Sequence, residues 1–268
     1  QGGMVDEGMH LLEASPTIPS FEERLTMTIK AQLFITCLQE QFFPGTLKNM
    51  VAVLERLGVA CELPDGQTCC GQPMFNTGFH SQARTVARHW LGVFSTTGGY
   101  IVAPSGSCVD MIRHHYANLF PAGSREHDMS RQVAARTFEF SQFLVDVLHV
   151  ENVGARFPHK VAYHASCHLL RGLGAQAQPL RLLRAVRDLE LVPMNQEETC
   201  CGFGGAFSVI YPEVSRAMME TKVRNIQSSG ADVVVAGDAG CLMNIAGGLR
   251  KTGSPVRALH LADVLAST

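Results

Sequence analysis

The tetrapeptide Thr-Cys-Cys-Gly stands at residues 68–71 and again at residues 199–202. One further cysteine precedes each copy and another follows it, at similar distances. The two sets are Cys37, Cys69, Cys70 and Cys108, and Cys167, Cys200, Cys201 and Cys241. Matching cysteines lie 130 to 133 residues apart, so the chain carries an internal duplication. Of the nine cysteines, Cys61 alone stands outside the pattern.

The segments around the cysteines repeat in the same order. A short apolar segment runs into the first cysteine of each set, and an amphipathic stretch, a short strand candidate and the Cys-Cys-Gly turn follow. A second amphipathic stretch then leads to a buried strand, at residues 100–103 and 232–236. Strands that alternate with helices indicate parallel sheets. We therefore predict an α/β protein made of two pseudo-symmetric, Rossmann-like βαβαβα halves.

This order places three of the cysteine positions of each half just beyond the carboxyl ends of three strands. In open α/β sheets, ligands bind at that edge. The predicted topology therefore gives a physical reason why cysteines dispersed along the chain converge.

The pattern also predicts how the chain is divided. Residues 1–30 are expected to form a polar N-terminal extension, residues 31–120 the first cysteine-bearing domain, and residues 159–268 the second. Residues 121–158 are expected to join them as a helical linker, and the final segment is expected to close the second domain with a short helix.

Composition narrows the class of protein. The chain is 46% hydrophobic with a net charge of −2 and no long basic run, which argues against nucleic acid as a partner. No apolar run is long enough for a membrane helix, and no secretory signal pattern is visible. We therefore expect a cytoplasmic protein, in which nine cysteines favour metal chemistry over a disulfide framework.

Four thiolates in each half are the ligand set of an iron–sulfur cluster or of an all-thiolate zinc site. Adjacent cysteines favour a cluster, because consecutive thiolates in a turn can reach two irons, whereas mononuclear sites more often use Cys-x-x-Cys. Gly71 and Gly202 follow these pairs and are expected to permit positive φ and to free backbone N–H groups for cluster sulfur. Zinc in one half remains an alternative.

Two histidines flank Cys167. His164 and His168 could be ligands, could donate hydrogen bonds to sulfur, could carry protons near neutral pH, or could be structural. Cys61 lies in a strand candidate and is expected to be a core residue. No residue stands out as catalytic.

The strings around the cysteines resemble the CCG (cysteine-rich) domain of the B-type component of heterodisulfide reductase and, more closely, the lactate-utilization protein A family from about Met27 onwards. They include FITCL at 34–38, CCGQPMFNTG at 69–78 and SGSCVDM at 105–111, then YHASCHLLR at 163–171, CCGFGGAF at 200–207 and GCLMN at 240–244.

The resemblance implies an iron–sulfur electron-transfer subunit of a multi-subunit system that oxidises L-lactate to pyruvate, rather than an enzyme acting alone. It implies partners of the lactate-utilization B (ferredoxin-like) and C types, and a peripheral, quinone-linked electron acceptor. The sequence itself has no ferredoxin-type cysteine run and no convincing flavin or nicotinamide fingerprint, which fits a need for partner subunits.

The chain departs from the full CCG pattern, which ends in Cys-x-x-Cys. Met111 and Asn244 occupy the positions of the last cysteine. Four ligands in each half favour two [4Fe–4S] clusters over the five-cysteine centres of heterodisulfide reductase. Two other functions remain open: a thiol/disulfide redox catalyst of the heterodisulfide reductase type, and a zinc-stabilised interaction scaffold.

Overall fold

The computed structural model describes residues 29–268, which form two four-stranded parallel sheets. The N-terminal extension predicted for residues 1–30 lies almost wholly outside the described residues, and Lys30 already opens the first strand. The predicted α/β class, with two similar halves and parallel sheets, is confirmed.

The two sheets have the same strand order. In the first, the order is β2-β1-β3-β4, and in the second it is β6-β5-β7-β8. The strands of the first are β1 (Lys30–Leu33), β2 (Ala60–Glu62), β3 (Tyr100–Ala103) and β4 (Thr137–Glu139). Those of the second are β5 (Lys160–Tyr163), β6 (Glu190–Leu191), β7 (Val233–Ala236) and β8 (Arg257–His260). Register matches as well, because Leu33 lies opposite Val102 as Tyr163 lies opposite Val235.

Helices connect the strands in both halves. They are α1 (Cys37–Phe42), α2 (Pro44–Arg56), α3 (Gln72–Asn76), α4 (His80–Phe94), α5 (Gly106–Asp110), α6 (Arg125–Ala135), α7 (Phe140–Gln142), α8 (Ala177–Arg184), α9 (Phe207–Ile210), α10 (Pro212–Ser228), α11 (Ala239–Lys251) and α12 (Leu261–Ala266). Wider π turns occupy Met111–His115, Phe143–Val147 and His168–Gly172, and a 3-10 turn occupies Ala117–Leu119.

Each sheet has a fourth strand in addition to the three of the predicted βαβαβα pattern. The expected helical linker over 121–158 contains β4, which pairs with β3, and the expected closing helix begins with β8. Three- and four-residue strands are too short to show a clear alternation, so the neighbouring helical periodicity masked them. Arg136 follows the preceding helix, α6, and its guanidinium donates to the carbonyl oxygens of Gly99 and Phe94.

The two halves share one hydrophobic core. A single cluster of buried side chains takes residues from β1 and β3 of the first sheet and from β5 and β7 of the second. The last helix, α12, crosses to α2, where Asp263 accepts hydrogen bonds from Thr46 Oγ1 (3.1 Å) and Asn49 Nδ2 (3.0 Å). Each sheet also has its own hydrophobic cluster on the opposite, outer face. The shared core fixes the carboxyl edges of the sheets relative to each other.

Candidate metal centre

All eight duplicated cysteines line one cavity of about 460 Å³. The sequence placed each set at the carboxyl edge of its own sheet, and the structure brings the two edges together. The two sets therefore face a common space, which the duplication alone did not predict.

The first set forms two close sulfur pairs. Cys37 Sγ lies 3.6 Å from Cys69 Sγ, and Cys70 Sγ lies 3.4 Å from Cys108 Sγ. These distances exceed the roughly 2.05 Å of a disulfide bond, and all the cysteines are free. Separate strand ends and one turn thus deliver four thiols to one place.

The second set is arranged similarly. Cys201 Sγ lies 3.0 Å from Cys241 Sγ, and Cys167 Sγ lies 3.6 Å from the ring nitrogen Nδ1 of His168. The donor atoms of Cys201, Cys241 and His164 all lie within 4.8 Å of one another. The clustered thiols in both halves suggest metal binding.

In the Cys-Cys turn of each half, the first cysteine has a lowered pKa, which favours its thiolate. Hydrogen bonds from the thiols of Cys37 and Cys70 and from the backbone N–H of Gly71 lower the pKa of Cys69. Corresponding bonds lower the pKa of Cys200, to which the N–H of Gly202 donates at 3.3 Å. Because thiolate is the ligand form of cysteine, each turn supplies a ready donor.

Both turn glycines have a backbone conformation that favours a residue without a side chain. Gly71 has φ +82° and Gly202 has φ +86°. A Cβ on Gly202 would lie 2.5 Å from the carbonyl oxygen of Ser215, whereas the nearest atoms to a Cβ on Gly71 would be 3.5 Å away. The turn in the second half is therefore the more tightly enclosed.

The structure separates the other predicted residues. His164 is 1% exposed, whereas His168 is half-buried on a π turn and lines the cavity. Cys61 lies on β2 away from the cavity, with its thiol 3.8 Å from the carbonyl oxygen of Val59. Burial raises the pKa of Cys61 to about 11, which suits an unreactive packing residue.

Neither position that departs from the CCG pattern lines the cavity. Met111 is fully buried in the outer core of the first half. Asn244 donates from Nδ2 to the carbonyl oxygen of Cys201 at 2.8 Å, and Tyr116 donates from its hydroxyl to that of Cys70 at 2.9 Å. Both halves therefore brace the Cys-Cys turn from behind.

Sequence reasoning missed the polar residues between the two sets. Ser105 caps α5 by accepting from the N–H of Cys108, and Asp238 caps α11 by accepting from the N–H of Gly240. Each stands three residues before a cysteine, and a serine or aspartate ahead of a helix is a recognisable N-cap signal. These caps orient the last cysteine of each set.

A buried lysine also lies behind the second set. The Nζ atom of Lys222 donates to the carbonyl oxygens of Gln196 (2.9 Å) and Glu197 (3.0 Å). Burial lowers its pKa to about 8, while the nearby thiols of the second set act in the opposite direction. Its position on an amphipathic helix gave no sign that it would face inward.

Among residues 29–268, no helix has the length and apolar character that crossing a membrane requires.

Comparison with known proteins gives a consistent picture. The family model of the CCG cysteine-rich domain matches residues 31–113 and 161–246. The lactate utilization protein A of Exiguobacterium sp. is 47% identical over 234 residues, which cover 87% of this chain and 95% of that protein. The protein of the same name from Halalkalibacterium halodurans is 44% identical over 237 residues, or 88% of this chain and 96% of the relative.

A crystal structure of a hypothetical protein from Helicobacter pylori has a TM-score of 0.57 at 12% identity. The match covers 88% of this chain and 48% of that protein, and it supports the fold alone. The sequence relatives go further: the chain belongs to the lactate utilization protein A family and carries two copies of the CCG cysteine-rich domain.

Proposed function

We propose that this chain is a cytoplasmic iron–sulfur electron-transfer subunit of a multi-component system that oxidises L-lactate to pyruvate. The convergence of eight free cysteines on one cavity carries the proposal. The names of the relatives support a role in lactate utilization.

The residues present fit two four-ligand centres. In each half the inner cysteines, such as Cys70 and Cys201, are 2% exposed, whereas the first cysteine of each set is half-buried. An iron–sulfur cluster supplies reversible one-electron chemistry when bound. The protein would contribute thiolate ligands, N–H donors from Gly71 and Gly202, and an apolar wall that excludes water from one side.

The proposed partners follow from what the chain lacks. Its sequence carries no ferredoxin-type cysteine run and no convincing flavin or nicotinamide fingerprint. We infer that lactate-utilization B-type (ferredoxin-like) and C-type subunits complete the system, and that they pass electrons to a peripheral, quinone-linked acceptor.

Metal analysis of protein purified without oxygen tests the centres. Two [4Fe–4S] clusters predict about eight irons and about eight acid-labile sulfides per chain. Cys69→Ser and Cys200→Ser should each lose about half of both. Cys61→Ser is the matched control and should keep the full content, because Cys61 lies outside the cavity. Zinc without sulfide would contradict the redox function and favour a zinc-stabilised scaffold.

Growth tests the substrate. A strain that lacks the gene for this chain and every other lactate dehydrogenase should not grow on L-lactate. Growth should return when the wild-type gene or the Cys61→Ser variant is supplied. Normal lactate oxidation in that strain would refute the proposed pathway.

The shared cavity supports a second candidate function, thiol/disulfide redox catalysis. Its volume and its two facing cysteine sets offer space for a small disulfide between them. Reduction of a disulfide by the loaded, purified chain with an artificial electron donor would favour this candidate. The absence of a fifth cysteine, at Met111 and Asn244, favours electron transfer instead.

A further inference from the structure

We propose that the imidazole of His164 is a nitrogen ligand of the centre in the second half, so that the two centres of this chain have different ligand chemistry. The inference rests on the proposed function and deepens it. The second half offers five donors, Cys167, Cys200, Cys201, Cys241 and His164, where the first offers four.

His164 is buried without a hydrogen-bond partner. The side chain is 1% exposed, and within residues 29–268 neither ring nitrogen, Nδ1 or Nε2, has a partner. Leaving a buried polar group unsatisfied costs about 1–3 kcal/mol, so most such groups are paired. The ring lies beside the thiol of Cys241, whose pKa is lowered by the thiol of Cys201 and by this ring, but the ring and the Cys241 thiol do not form a hydrogen bond of normal geometry. The ring nitrogens are therefore directed at the cysteine set without a well-formed bond to it.

The position of the ring identifies the missing partner. Its donor atom lies within 4.8 Å of both Cys201 Sγ and Cys241 Sγ, a spacing that suits a shared metal ion. Imidazole nitrogen and thiolate sulfur are the ligands used by zinc sites and by the mixed His/Cys iron–sulfur centres. His164 thus faces the cysteine set as a further donor.

Within residues 29–268, the equivalent position of the first half carries no such ligand. The N–H of His164 donates to the carbonyl oxygen of Val235 at 2.8 Å, as the N–H of Phe34 donates to that of Val102 at 2.9 Å. The two residues therefore occupy equivalent positions, one step beyond β5 and β1. In the first half the ring belongs to Phe34, which packs edge-on against Trp90 at 5.4 Å.

A second pair of equivalent positions also has an aromatic side chain in the first half and a basic side chain in the second. The turn glycine of each half lies against one helix: Gly71 lies next to the carbonyl oxygen of Ala83 on α4, and Gly202 next to that of Ser215 on α10. Ala83 and Ser215 are therefore equivalent positions, and α4 corresponds to α10. Two turns further along these helices lie Trp90 in the first half and Lys222 in the second. The second set is therefore backed by a histidine and a lysine, and the first by aromatic rings.

These differences have an electronic consequence. Since a four-iron cluster takes four protein ligands, His164 would take the place of one of the four thiolates, and a neutral imidazole in place of thiolate raises the potential of an iron–sulfur centre, as in Rieske-type ligation. Lys222, when protonated, would add a positive charge on the same side and favour the more negative, reduced state. We therefore expect the second centre to have the higher potential and to receive electrons from the first.

Isotope labelling tests the ligand without any mutation. The full chain, purified without oxygen and reduced, should show nitrogen hyperfine coupling in pulsed EPR spectra, and growth with 15N-histidine should change that coupling. His164→Phe, which copies the first half, should abolish it. The matched control, His168→Phe, should retain it. If zinc occupies the second half, the nitrogen contribution to zinc-edge X-ray absorption should likewise disappear in His164→Phe alone.

Several results would overturn the inference. They are sulfur-only ligation in the wild type, a coupling insensitive to 15N-histidine, and a coupling that survives His164→Phe or is lost in His168→Phe. The variant His164→Cys keeps a ligand at the site but replaces a neutral imidazole with a thiolate. It should therefore lower the reduction potential of the second centre. An unchanged potential would count against ligation by His164. Two sulfur-only clusters would refute this inference and leave the proposed function standing, whereas zinc with nitrogen ligation would do the reverse.

Discussion

The carboxylate of Asp238, in the second half, accepts a hydrogen bond of 2.9 Å from the backbone N–H of Ser107, in the first. The same oxygen lies 3.3 Å from the hydroxyl of Ser105, and the other carboxylate oxygen caps α11 through the N–H of Gly240. One side chain thus joins the starts of the two helices that carry Cys108 and Cys241. The two cysteine sets are held together by this link as well as by the shared core.

Asp238→Ala should therefore weaken the whole chain. Removing a buried acceptor leaves its donors unsatisfied and removes an N-cap, which together should lower the free energy of unfolding by about 2–3 kcal/mol. Asp238→Asn keeps one carbonyl oxygen and should cost less. Denaturant unfolding measures the change.

Asp128→Ala is the control for this comparison, because Asp128 is an exposed aspartate whose ion pair is with the neighbouring His127. It should change stability by less than about 0.5 kcal/mol. Equal effects of Asp128→Ala and Asp238→Ala would show that the link between the halves contributes nothing.

Alanine at the two turn glycines should have unequal effects. Both positions have positive φ, so each substitution carries a backbone cost of about 1 kcal/mol. Gly202→Ala adds a clash with the carbonyl oxygen of Ser215, which Gly71→Ala does not meet. We expect Gly202→Ala to cost at least about 1 kcal/mol more in denaturant unfolding.

Iron content provides a second measurement for the same pair. Cys69→Ser removes the first centre and leaves the second in place, whereas Gly202→Ala should deplete the second. The double variant Cys69→Ser/Gly202→Ala should therefore be nearly iron-free. Gly71→Ala combined with Cys200→Ser should keep more iron, since the first turn tolerates a Cβ better. Equal losses in the two double variants would contradict the structural difference between the turns.

The sequence predicted which residues meet in the cavity better than it predicted where the helices and strands begin and end. Spacing and duplication located all eight cavity cysteines, because the same four-cysteine pattern occurs twice in the same order. Parallel α/β architecture followed from alternating patterns of period 2 and 3.6. Strand β4 escaped notice because three residues carry too little periodicity to stand out beside α6 and α7.

The relation between the halves could not be predicted from local patterns. That Asp238 would meet Ser107, or that α12 would pack on α2, depends on contacts between residues far apart in sequence. Lys222 shows the same limit, since its burial depends on carbonyl groups supplied by a distant loop. Position in a repeat predicts neighbours within a half, but not the partners across the cavity.

Asp263 should be the main polar anchor of the last helix. It accepts hydrogen bonds from Thr46 and Asn49 on α2 and from the N–H of its own His260. Asp263→Ala should lower the unfolding free energy by about 1–3 kcal/mol. In a double-mutant cycle with Asn49→Ala, the coupling energy should be about 0.5–1.5 kcal/mol. A coupling of zero would show that the hydrogen bond between Asn49 and Asp263 contributes nothing to the contact between α2 and α12.

Glu139 ends β4 in a fully buried position close to Asp238. One carboxylate oxygen accepts from the N–H groups of Ser141 and Gln142 and from the hydroxyl of Ser141, while the other has no partner within residues 29–268. Burial, with a smaller contribution from Asp238, raises the pKa of Glu139 to about 7 from a usual 4.5. Between pH 4.5 and about 7, the carboxyl group of Glu139 therefore keeps its proton in the folded protein, whereas it has released it in the unfolded chain.

Because the folded pKa is the higher one, Glu139 makes the protein less stable as pH rises from about 4.5 to about 7. The full effect, present above that range, amounts to at most about 3 kcal/mol. Glu139→Gln stays neutral and still offers an oxygen to Ser141 and Gln142. It should leave stability at pH 4.5 almost unchanged and raise it at pH 8, as measured by denaturant unfolding across this range. Glu55→Gln, a change at an exposed position on α2, should leave the pH profile parallel to that of the wild type. A parallel profile for Glu139→Gln would show that Glu139 ionises normally in the folded protein.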